Sequence, residues 1–187
     1  MLRIIGGTWR GRRLRFPPVE QIRPTPDRVR ETLFNWLGTR VAGASCLDLF
    51  AGSGALGLEA LSRGAARVTF VERDAAAVQA LRARLIEWHA SGGSVEQADA
   101  ARFLAGPPHP VDIAFLDPPF DSGLLTQVAR LLEERGWLAP GAWIYVETGA
   151  QAGLPPLPQR WQVIKAKQAG AVGYHLLASQ NEGAAGE

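Results

Sequence analysis

Several residue types are scarce in this sequence of 187 residues, and their scarcity excludes whole classes of protein. The single cysteine, Cys46, cannot form an internal disulfide, and its apolar surroundings predict a buried core residue. The three histidines, His89, His109 and His175, lack the spacing of metal ligands, so we predict no metal site. No Gly-x-Ser-x-Gly motif is present, which argues against a serine hydrolase of the α/β class.

Long hydrophobic runs are also missing. No apolar stretch approaches the roughly 20 residues that a membrane-spanning helix needs. Residues 1–7 contain no long apolar segment of the signal-peptide type. These absences predict a soluble, cytoplasmic protein without a membrane partner, and the length of the chain suits one domain with a full core.

Lysine is scarce as well, and arginine carries most of the positive charge. The net charge is only +2, but residues 1–40 contain nine arginines against three acidic residues, whereas residues 41–187 carry eleven basic and fifteen acidic residues. Because arginine makes bidentate contacts with phosphate and stacks on bases, this uneven distribution predicts a nucleic-acid partner. Trp9, which lies among these arginines, has two interpretations: stacking on RNA, or packing of this segment against the rest of the protein. The candidate RNA contacts are Arg10, Arg12, Arg13, Arg28 and Arg30.

The first forty residues predict a hairpin and a helix ahead of the main domain. Residues 2–5 and 14–16 are short β-like segments, and the stretch rich in glycine and arginine between them suits a hairpin. Thr25 is expected to cap the helix that follows, with Pro26 in its first position and Gly38 just after its end.

Strands alternate with helices from residue 45 onwards. The predicted strands cover residues 46–50, 67–71, 95–97, 111–116, 143–146, 163–167 and 174–177. The predicted helices lie near residues 54–63, 74–89, 100–104 and 124–135. This alternation predicts an α/β fold with a doubly wound, mostly parallel sheet of seven strands, which binds ligands at the carboxyl ends of its strands. We therefore expect a basic extension at 1–40, the α/β domain at 41–180 and a frayed tail at 181–187.

The first strand of this sheet runs into a glycine-rich loop. Gly52, Gly54 and Gly57 have the spacing of the dinucleotide-binding fingerprint, and Glu72 ends the next strand where that fingerprint has an acid. Three interpretations fit the loop: a site for S-adenosylmethionine, a site for NAD or FAD, or a purely structural turn. Asp48 favours S-adenosylmethionine, because a carboxylate that faces the loop would repel a pyrophosphate but attract ammonium and sulfonium groups.

Two acidic residues at the ends of the next strands are candidate cofactor ligands. Glu72 is predicted to accept hydrogen bonds from two ribose hydroxyls; alternatively, its charge favours the N-terminus of the following helix. Asp99 is predicted to accept a hydrogen bond from an adenine amino group while the Ala100 N–H donates to the ring. The alternative for Asp99 is an N-cap of the short helix that it precedes.

The most specific element of the sequence is Asp117-Pro118-Pro119-Phe120, which follows the apolar strand 111–116. The prolines end the strand because they lack an N–H group. The Asp117 carboxylate and the Pro118 carbonyl are hydrogen-bond acceptors, and Phe120 offers a flat face for stacking. In the usual doubly wound order this strand lies beside the first one, so both motifs would share a crevice. The element therefore predicts a planar substrate with an NH₂ group, such as a nucleobase.

Taken in order, these motifs resemble those of S-adenosylmethionine-dependent amino-methyltransferases. More closely, residues 3–12 (RIIGGTWRGR), 23–36 (RPTPDRVRETLFNW) and 47–65 look like the corresponding segments of the bacterial 16S rRNA guanine-N2 methyltransferases that act on the small ribosomal subunit. Phe120 stands where many members of that family have tyrosine, which keeps the stacking surface and removes a hydroxyl.

The resemblance implies a Rossmann-like methyltransferase fold that methylates one guanine of 16S rRNA in an assembling or assembled small-subunit particle. It implies that Asp117, Pro118 and Phe120 hold the flipped guanine. It also implies a site for S-adenosyl-L-methionine lined by Asp48, Phe50, Gly52, Gly54, Glu72, Asp99 and Ala100. We expect a monomer. Two alternatives remain: a DNA adenine-N6 or cytosine-N4 methyltransferase, and a non-catalytic RNA-binding assembly factor on the same scaffold.

Overall fold

The computed structural model describes residues 2–15, 25–120 and 122–180. The expected tail at 181–187, and Phe16 at the end of the second β-like segment, lie outside the described residues.

A short hairpin and a helix precede the main sheet, as the sequence predicts. Strands β1 (Leu2–Arg3) and β2 (Arg13–Leu14) pair in antiparallel fashion, and helix α1 covers Asp27–Leu37. Gly38 ends α1 with a φ of 54°, a left-handed conformation that glycine adopts without strain. The expectation that Thr25 caps α1 is wrong. Pro26 occupies the N-cap position without a side-chain cap, because the Thr25 hydroxyl is bonded elsewhere.

A seven-stranded sheet forms the centre of the protein. Its strands are β3 (Ser45–Asp48), β4 (Arg67–Glu72), β5 (Gly93–Gln97), β6 (Val111–Leu116), β7 (Leu138–Gly149), β8 (Trp161–Ala169) and β9 (Val172–Ser179). They lie in the order β5-β4-β3-β6-β7-β9-β8, and β9 is antiparallel to both of its neighbours. The other pairs are parallel, which confirms the predicted sheet. β7 and β8 are longer than the predicted strands. The sequence did not indicate the additional residues, because the added part of β7 contains Pro140 and Gly141 and because most of β8 is exposed.

Helices cover both faces of the sheet and create two hydrophobic cores. The remaining helices are α2 (Ala55–Ser62), α3 (Ala75–Glu87), α4 (Ala100–Leu104) and α5 (Leu124–Glu134). The first core lies between the sheet and α1, α2 and α3, and it contains Phe70, Phe115 and the predicted buried cysteine, Cys46. The second core lies between the sheet and α4 and α5, and it contains Ile144 and Leu132. None of the helices described by the structure is both long and apolar enough to cross a membrane.

A buried ion cluster fixes the N-terminal extension to the body. The fully buried Glu59 of α2 accepts hydrogen bonds from the backbone N–H groups of Ile5 (2.9 Å) and Gly6 (2.8 Å). The same carboxylate pairs with Arg30 of α1 (3.3 Å) and with Arg63 (2.8 Å). Because this carboxylate has partners in the hairpin, in α1 and next to α2, it holds all three in one arrangement.

The hairpin also packs against α2 and the end of α3. The Trp9 ring lies 5.2 Å from the Trp88 ring between centroids, and the Arg12 guanidinium lies 5.3 Å from the Trp88 ring. The backbone N–H of Trp9 donates to the Ser62 hydroxyl (2.9 Å). Of the two interpretations of Trp9, the structure therefore shows packing against the body.

The interpretation of Arg30 as an RNA contact is wrong. Its side chain is completely buried and is used by Glu59, by Asp27 and by the carbonyl groups of Arg3 and Thr25. The other four candidates remain exposed at the surface: Arg10, Arg12, Arg13 and Arg28. The sequence could not separate these arginines, because a buried guanidinium is recognisable only once its carboxylate partners are placed.

We expect Arg30→Ala to lower the free energy of unfolding by about 3–5 kcal/mol, because it leaves the Glu59 carboxylate buried without its cation. Arg130→Ala is the control, since Arg130 forms an exposed pair with Glu134 and such pairs contribute at most about 1 kcal/mol. Urea unfolding of the two variants measures the difference. Equal losses in both would show that the buried cluster does not stabilise the fold.

Candidate active site

The carboxyl ends of the parallel strands bring the predicted site residues to one edge of the sheet. β3 pairs with β4 on one side and β6 on the other, with Asp48 opposite Phe70 in β4 and Phe115 in β6. Asp117 follows β6 two residues beyond the partner of Asp48. The glycine-rich loop and the Asp-Pro-Pro-Phe element therefore lie side by side.

Backbone hydrogen bonds hold the glycine-rich loop in a tight turn. Gly52 and Gly54 have φ values of 53° and 76°, in the left-handed region where a Cβ is unfavourable. The Gly54 N–H donates to the Ala51 carbonyl (2.7 Å), and the Ala51 N–H donates to the Val71 carbonyl of β4 (3.0 Å). These hydrogen bonds tie the loop to the neighbouring strand.

Gly57 allows α2 to approach the sheet closely. A Cβ at this position would lie 2.2 Å from Cε1 of Phe70, a distance that no relaxed structure tolerates. The Gly57 N–H also donates to Oδ2 of Asp48 (3.0 Å). The third glycine of the fingerprint therefore serves helix–strand packing, as that motif predicts, and brings the first turn of α2 to the Asp48 carboxyl group.

Asp48 is a buried acid whose pKa lies near neutral pH. Burial raises the pKa of Asp48 from its ordinary 3.8 to about 7, and the negative charges of Glu72 and Glu147 add to the rise, against the Gly57 hydrogen bond. Because the folded protein holds this proton more tightly than the unfolded chain, the contribution of Asp48 to stability falls as the pH rises from about 4 to about 7. A cationic ligand beside Asp48 would favour its ionised form.

Glu72 closes the glycine-rich loop from the end of β4. Its two oxygens accept hydrogen bonds from the N–H groups of Gly52 and Asp74, each at 2.8 Å. Asp74, and not Glu72, provides the N-cap of α3, since its side chain accepts from Ala77. Each carboxylate oxygen of Glu72 has a further lone pair, so the predicted contact with ribose hydroxyls stays chemically open.

The structure gives Asp99, Ala100 and Phe50 structural positions, and their contacts with the cofactor stay predictions. Oδ1 of Asp99 caps α4 by accepting from Ala101 (3.0 Å) and Arg102 (3.3 Å), which is the alternative considered for this residue. Ala100 begins α4, and its N–H belongs to the first turn, whose N–H groups have no acceptor within the helix. Phe50 is half-buried against the second core.

The Asp-Pro-Pro-Phe element presents its polar and aromatic groups at the mouth of the crevice. Asp117 is half-buried, Pro118 is buried, and the Phe120 side chain is 41% exposed. The Ser122 hydroxyl donates to the Pro119 carbonyl (2.7 Å) and supports the turn. An exposed ring next to two hydrogen-bond acceptors is available for stacking on a planar group.

The sequence did not indicate a second acid beside Asp117. Glu147 of β7 is buried, and its Oε1 accepts from the Thr25 hydroxyl (2.7 Å) and the Tyr145 hydroxyl (2.8 Å). Its carboxyl group lies beside Asp117, because Val146 of β7 pairs in parallel with Leu116 of β6 and the two acids are the next residues. Burial and the negative charges of Glu147 and Asp48 raise the pKa of Asp117 well above its ordinary value. The one available signal was a glutamate directly after the apolar run 143–146.

The chemistry of this edge fits S-adenosylmethionine. Asp48 can supply a negative charge to an ammonium or sulfonium group, and Glu72 can accept hydrogen bonds from hydroxyls. A pyrophosphate would meet both carboxyl groups and would be repelled. The sheet with its antiparallel β9, together with this site, defines an S-adenosylmethionine-dependent methyltransferase.

Comparison with known proteins gives the family. The chain belongs to the family described as conserved hypothetical protein 95, whose model matches residues 2–178. A curated relative from Escherichia coli strain K12, ribosomal RNA small subunit methyltransferase D, is 50% identical over 182 residues, which cover 97% of this chain and 92% of the relative.

Solved structures agree with the fold. The methyltransferase yhhF from Escherichia coli superposes with a TM-score of 0.90 at 49% identity, over 97% of this chain and 99% of that one. An RNA methyltransferase from Salinibacter ruber, solved in complex with S-adenosyl-L-homocysteine, has a TM-score of 0.66 at 18% identity, over 86% of this chain and 95% of that one. The second likeness shows the shared fold.

We expect the affinity for S-adenosylmethionine to depend on pH through Asp48. Because binding of a cation favours ionised Asp48, the ratio of wild-type to Asp48→Asn affinity should rise about tenfold from pH 6 to pH 8. The Asn oxygen can still accept from Gly57, so the variant keeps the loop. Calorimetric titration of both proteins measures the ratio, and a ratio that stays constant with pH would exclude this role.

Proposed function

We propose that this protein transfers a methyl group from S-adenosylmethionine to the exocyclic N2 amino group of one guanine in 16S rRNA of the small ribosomal subunit. The observation that carries the proposal is the position of Asp117–Phe120, where two acceptors and an exposed ring lie beside the loop that suits the methyl donor. The name of the Escherichia coli relative supports an rRNA substrate from the small subunit. We further propose that the protein acts as a monomer in the cytoplasm.

The reaction is a displacement for which the substrate nitrogen must be activated. S-adenosylmethionine supplies, when bound, an electrophilic methyl group on a sulfonium sulfur. The lone pair of the guanine amino group is delocalised into the ring, so the nitrogen is a poor nucleophile. Hydrogen bonds from its two N–H groups to Asp117 and to the Pro118 carbonyl favour a pyramidal nitrogen and offset the positive charge that develops there. Fixed positioning of the base supplies much of the remaining acceleration.

The guanine must leave its stack to reach this crevice. Extrusion of a base costs a few kcal/mol, and stacking on the exposed face of Phe120 recovers about 1–3 kcal/mol of that cost. Phe120 lies at the end of a turn supported by Ser122, so the ring is held at the mouth and does not enter the core. This arrangement suits a base that is delivered from a larger RNA.

The arginines of the N-terminal extension are suited to contact the RNA backbone. Arg10, Arg12 and Arg13 project from a hairpin that is fixed to the body, and Arg28 is exposed on the first turn of α1. Because phosphate contacts position a nucleic acid without reading its sequence, these residues would orient the RNA, while the crevice selects the base.

We expect Asp117→Ala to lower the rate of methyl transfer at least about a hundredfold, because it removes one acceptor of the amino group, while S-adenosylmethionine binding persists. The matched control is Asp112→Ala, at the opposite end of β6, whose carboxylate accepts from the Ser45 N–H. Incorporation of labelled methyl groups into small-subunit particles measures the rate, and mass spectrometry of the RNA locates the product.

A near-wild-type rate for Asp117→Ala would overturn the proposed function. Methylation of adenine or cytosine in duplex DNA in preference to rRNA would establish the DNA methyltransferase alternative. Failure of the wild-type protein to bind S-adenosylmethionine would favour the non-catalytic assembly factor.

We expect the double substitution Arg10→Gln with Arg13→Gln to raise the KM for RNA and leave kcat unchanged. The slope of log affinity against log salt concentration should fall by about one to two, since each lost phosphate contact contributes about 0.7–0.9. The control is Arg67→Gln with Arg130→Gln, which removes the same charge from exposed sites on β4 and α5. Equal salt slopes for the two double variants would contradict RNA contact by the hairpin.

A further inference from the structure

A chain of hydrogen bonds connects the N-terminal extension with Glu147, the acid beside Asp117. Arg30 of α1 donates from Nη1 to Glu59 and from Nε to the Thr25 carbonyl, each at 3.3 Å. The Thr25 hydroxyl donates to Oε1 of Glu147 (2.7 Å), and Glu147 lies next to Asp117 because Val146 of β7 pairs with Leu116 of β6. Each of these groups is buried or half-buried, so its position is defined by its partners.

Glu147 and Asp117 form an acid pair. Two carboxyl groups at adjacent positions of neighbouring strands repel each other when both are ionised, so the pair favours one bound proton. The donors around Glu147, the hydroxyls of Thr25 and Tyr145, favour the negative charge on Glu147. The bound proton therefore lies on Asp117, in line with the raised pKa of that carboxyl group.

We propose that Glu147 is a positioning residue for methyl transfer, which directs the free oxygen of Asp117 toward the substrate amino group and takes up a proton through Asp117. The proposal rests on the proposed function, because it assigns Glu147 a task in that same reaction. It explains why an acid is kept at a buried position beside two other acids, where an apolar residue would cost less free energy.

The bond between the amino nitrogen and the methyl carbon forms while the bond between sulfur and that carbon breaks, which leaves a positive charge on nitrogen. The free oxygen of Asp117 accepts one proton from this nitrogen, and the proton already bound to Asp117 moves to Glu147. The acid pair changes from one negative charge to none, and it later releases one proton to water.

The surroundings of Glu147 determine how the pair responds to pH. The titratable or charged groups that face it or its partners are Asp117 after β6, Asp48 at the end of β3, Tyr145 on β7, Tyr174 on β9 and Arg30 on α1. Burial raises the pKa of Glu147, while the hydrogen bonds from Thr25, Tyr145 and Asp117 oppose the rise. Because the reaction needs ionised Glu147, the rate should fall toward acid pH with a midpoint above that of an ordinary glutamate.

The test compares Glu147→Gln with Glu133→Gln, which removes a half-buried carboxylate of α5 that is paired with Trp161 and Arg160. We expect Glu147→Gln to lower kcat about a hundredfold or more, since general acid–base groups contribute 10²–10⁴-fold, while KM for S-adenosylmethionine changes less than about threefold. Glu133→Gln should retain the wild-type kcat. Carbon-13 NMR of the Asp117 carboxyl should show a lower titration midpoint in Glu147→Gln, because the neighbouring negative charge is gone.

Thr25 offers a second comparison outside the acid pair. Thr25→Val removes the hydroxyl donor at constant shape and should lower kcat about tenfold, whereas Thr25→Ser keeps the donor and should retain the wild-type rate. Thermal unfolding of both variants separates a change in stability from a change in rate.

The outcomes distinguish this proposal from the proposed function. If Asp117→Ala is inactive while Glu147→Gln and Thr25→Val keep the wild-type rate and pH profile, the role of Glu147 is overturned and the methyltransferase assignment stands. If Asp117→Ala itself keeps the wild-type rate, the proposed function fails. An unchanged titration of Asp117 in Glu147→Gln would also overturn the coupling between the two acids.

Discussion

β3 and β6 pair in parallel with Asp48 opposite Phe115, and this register sets the distance between the glycine-rich loop and Asp117. Parallel strands end at the same edge of a sheet, so a loop that leaves β3 and a turn that leaves β6 must meet there. A shift of one residue would turn the buried side chains of β6 to the opposite face and disrupt both cores. The cores therefore enforce the register, and the register creates the crevice.

The same edge concentrates negative charge at a cost in stability. Burial raises the pKa of Asp48, Asp117 and Glu147; the charge of Glu147 adds to the rise at both aspartates, and that of Asp48 adds to the rise at Asp117. Such an arrangement destabilises the folded protein relative to apolar residues, and proteins retain it chiefly where function needs it. Under the proposed function these acids have separate tasks: Asp48 faces the loop that suits a cationic cofactor, and Asp117 faces the substrate.

The N-terminal extension is connected by hydrogen bonds to this edge of the sheet. Glu59 joins the hairpin to α1 and α2, and Arg30 carries the connection to Thr25, which bonds Glu147. The hairpin that carries the exposed arginines is thus joined through hydrogen bonds to the acid pair. Under the proposed function, this link holds the arginines and the Asp117 element at a fixed separation, which positioning of one nucleotide requires.

The sequence by itself determined the order of strands and helices, because hydrophobic periodicity and turn residues are local signals. It also located Asp48 within the first apolar strand, and the glycines and Asp117–Phe120 after such strands. It misjudged Thr25 as a helix cap and Arg30 as a surface arginine, and it gave no role to Glu147. The tertiary structure alone decided these three, because Thr25 and Glu147 are partners 122 residues apart, and Arg30 and its partner Glu59 are 29 residues apart. A side chain's role follows from its neighbours in space, and only the packed sheet supplies those neighbours.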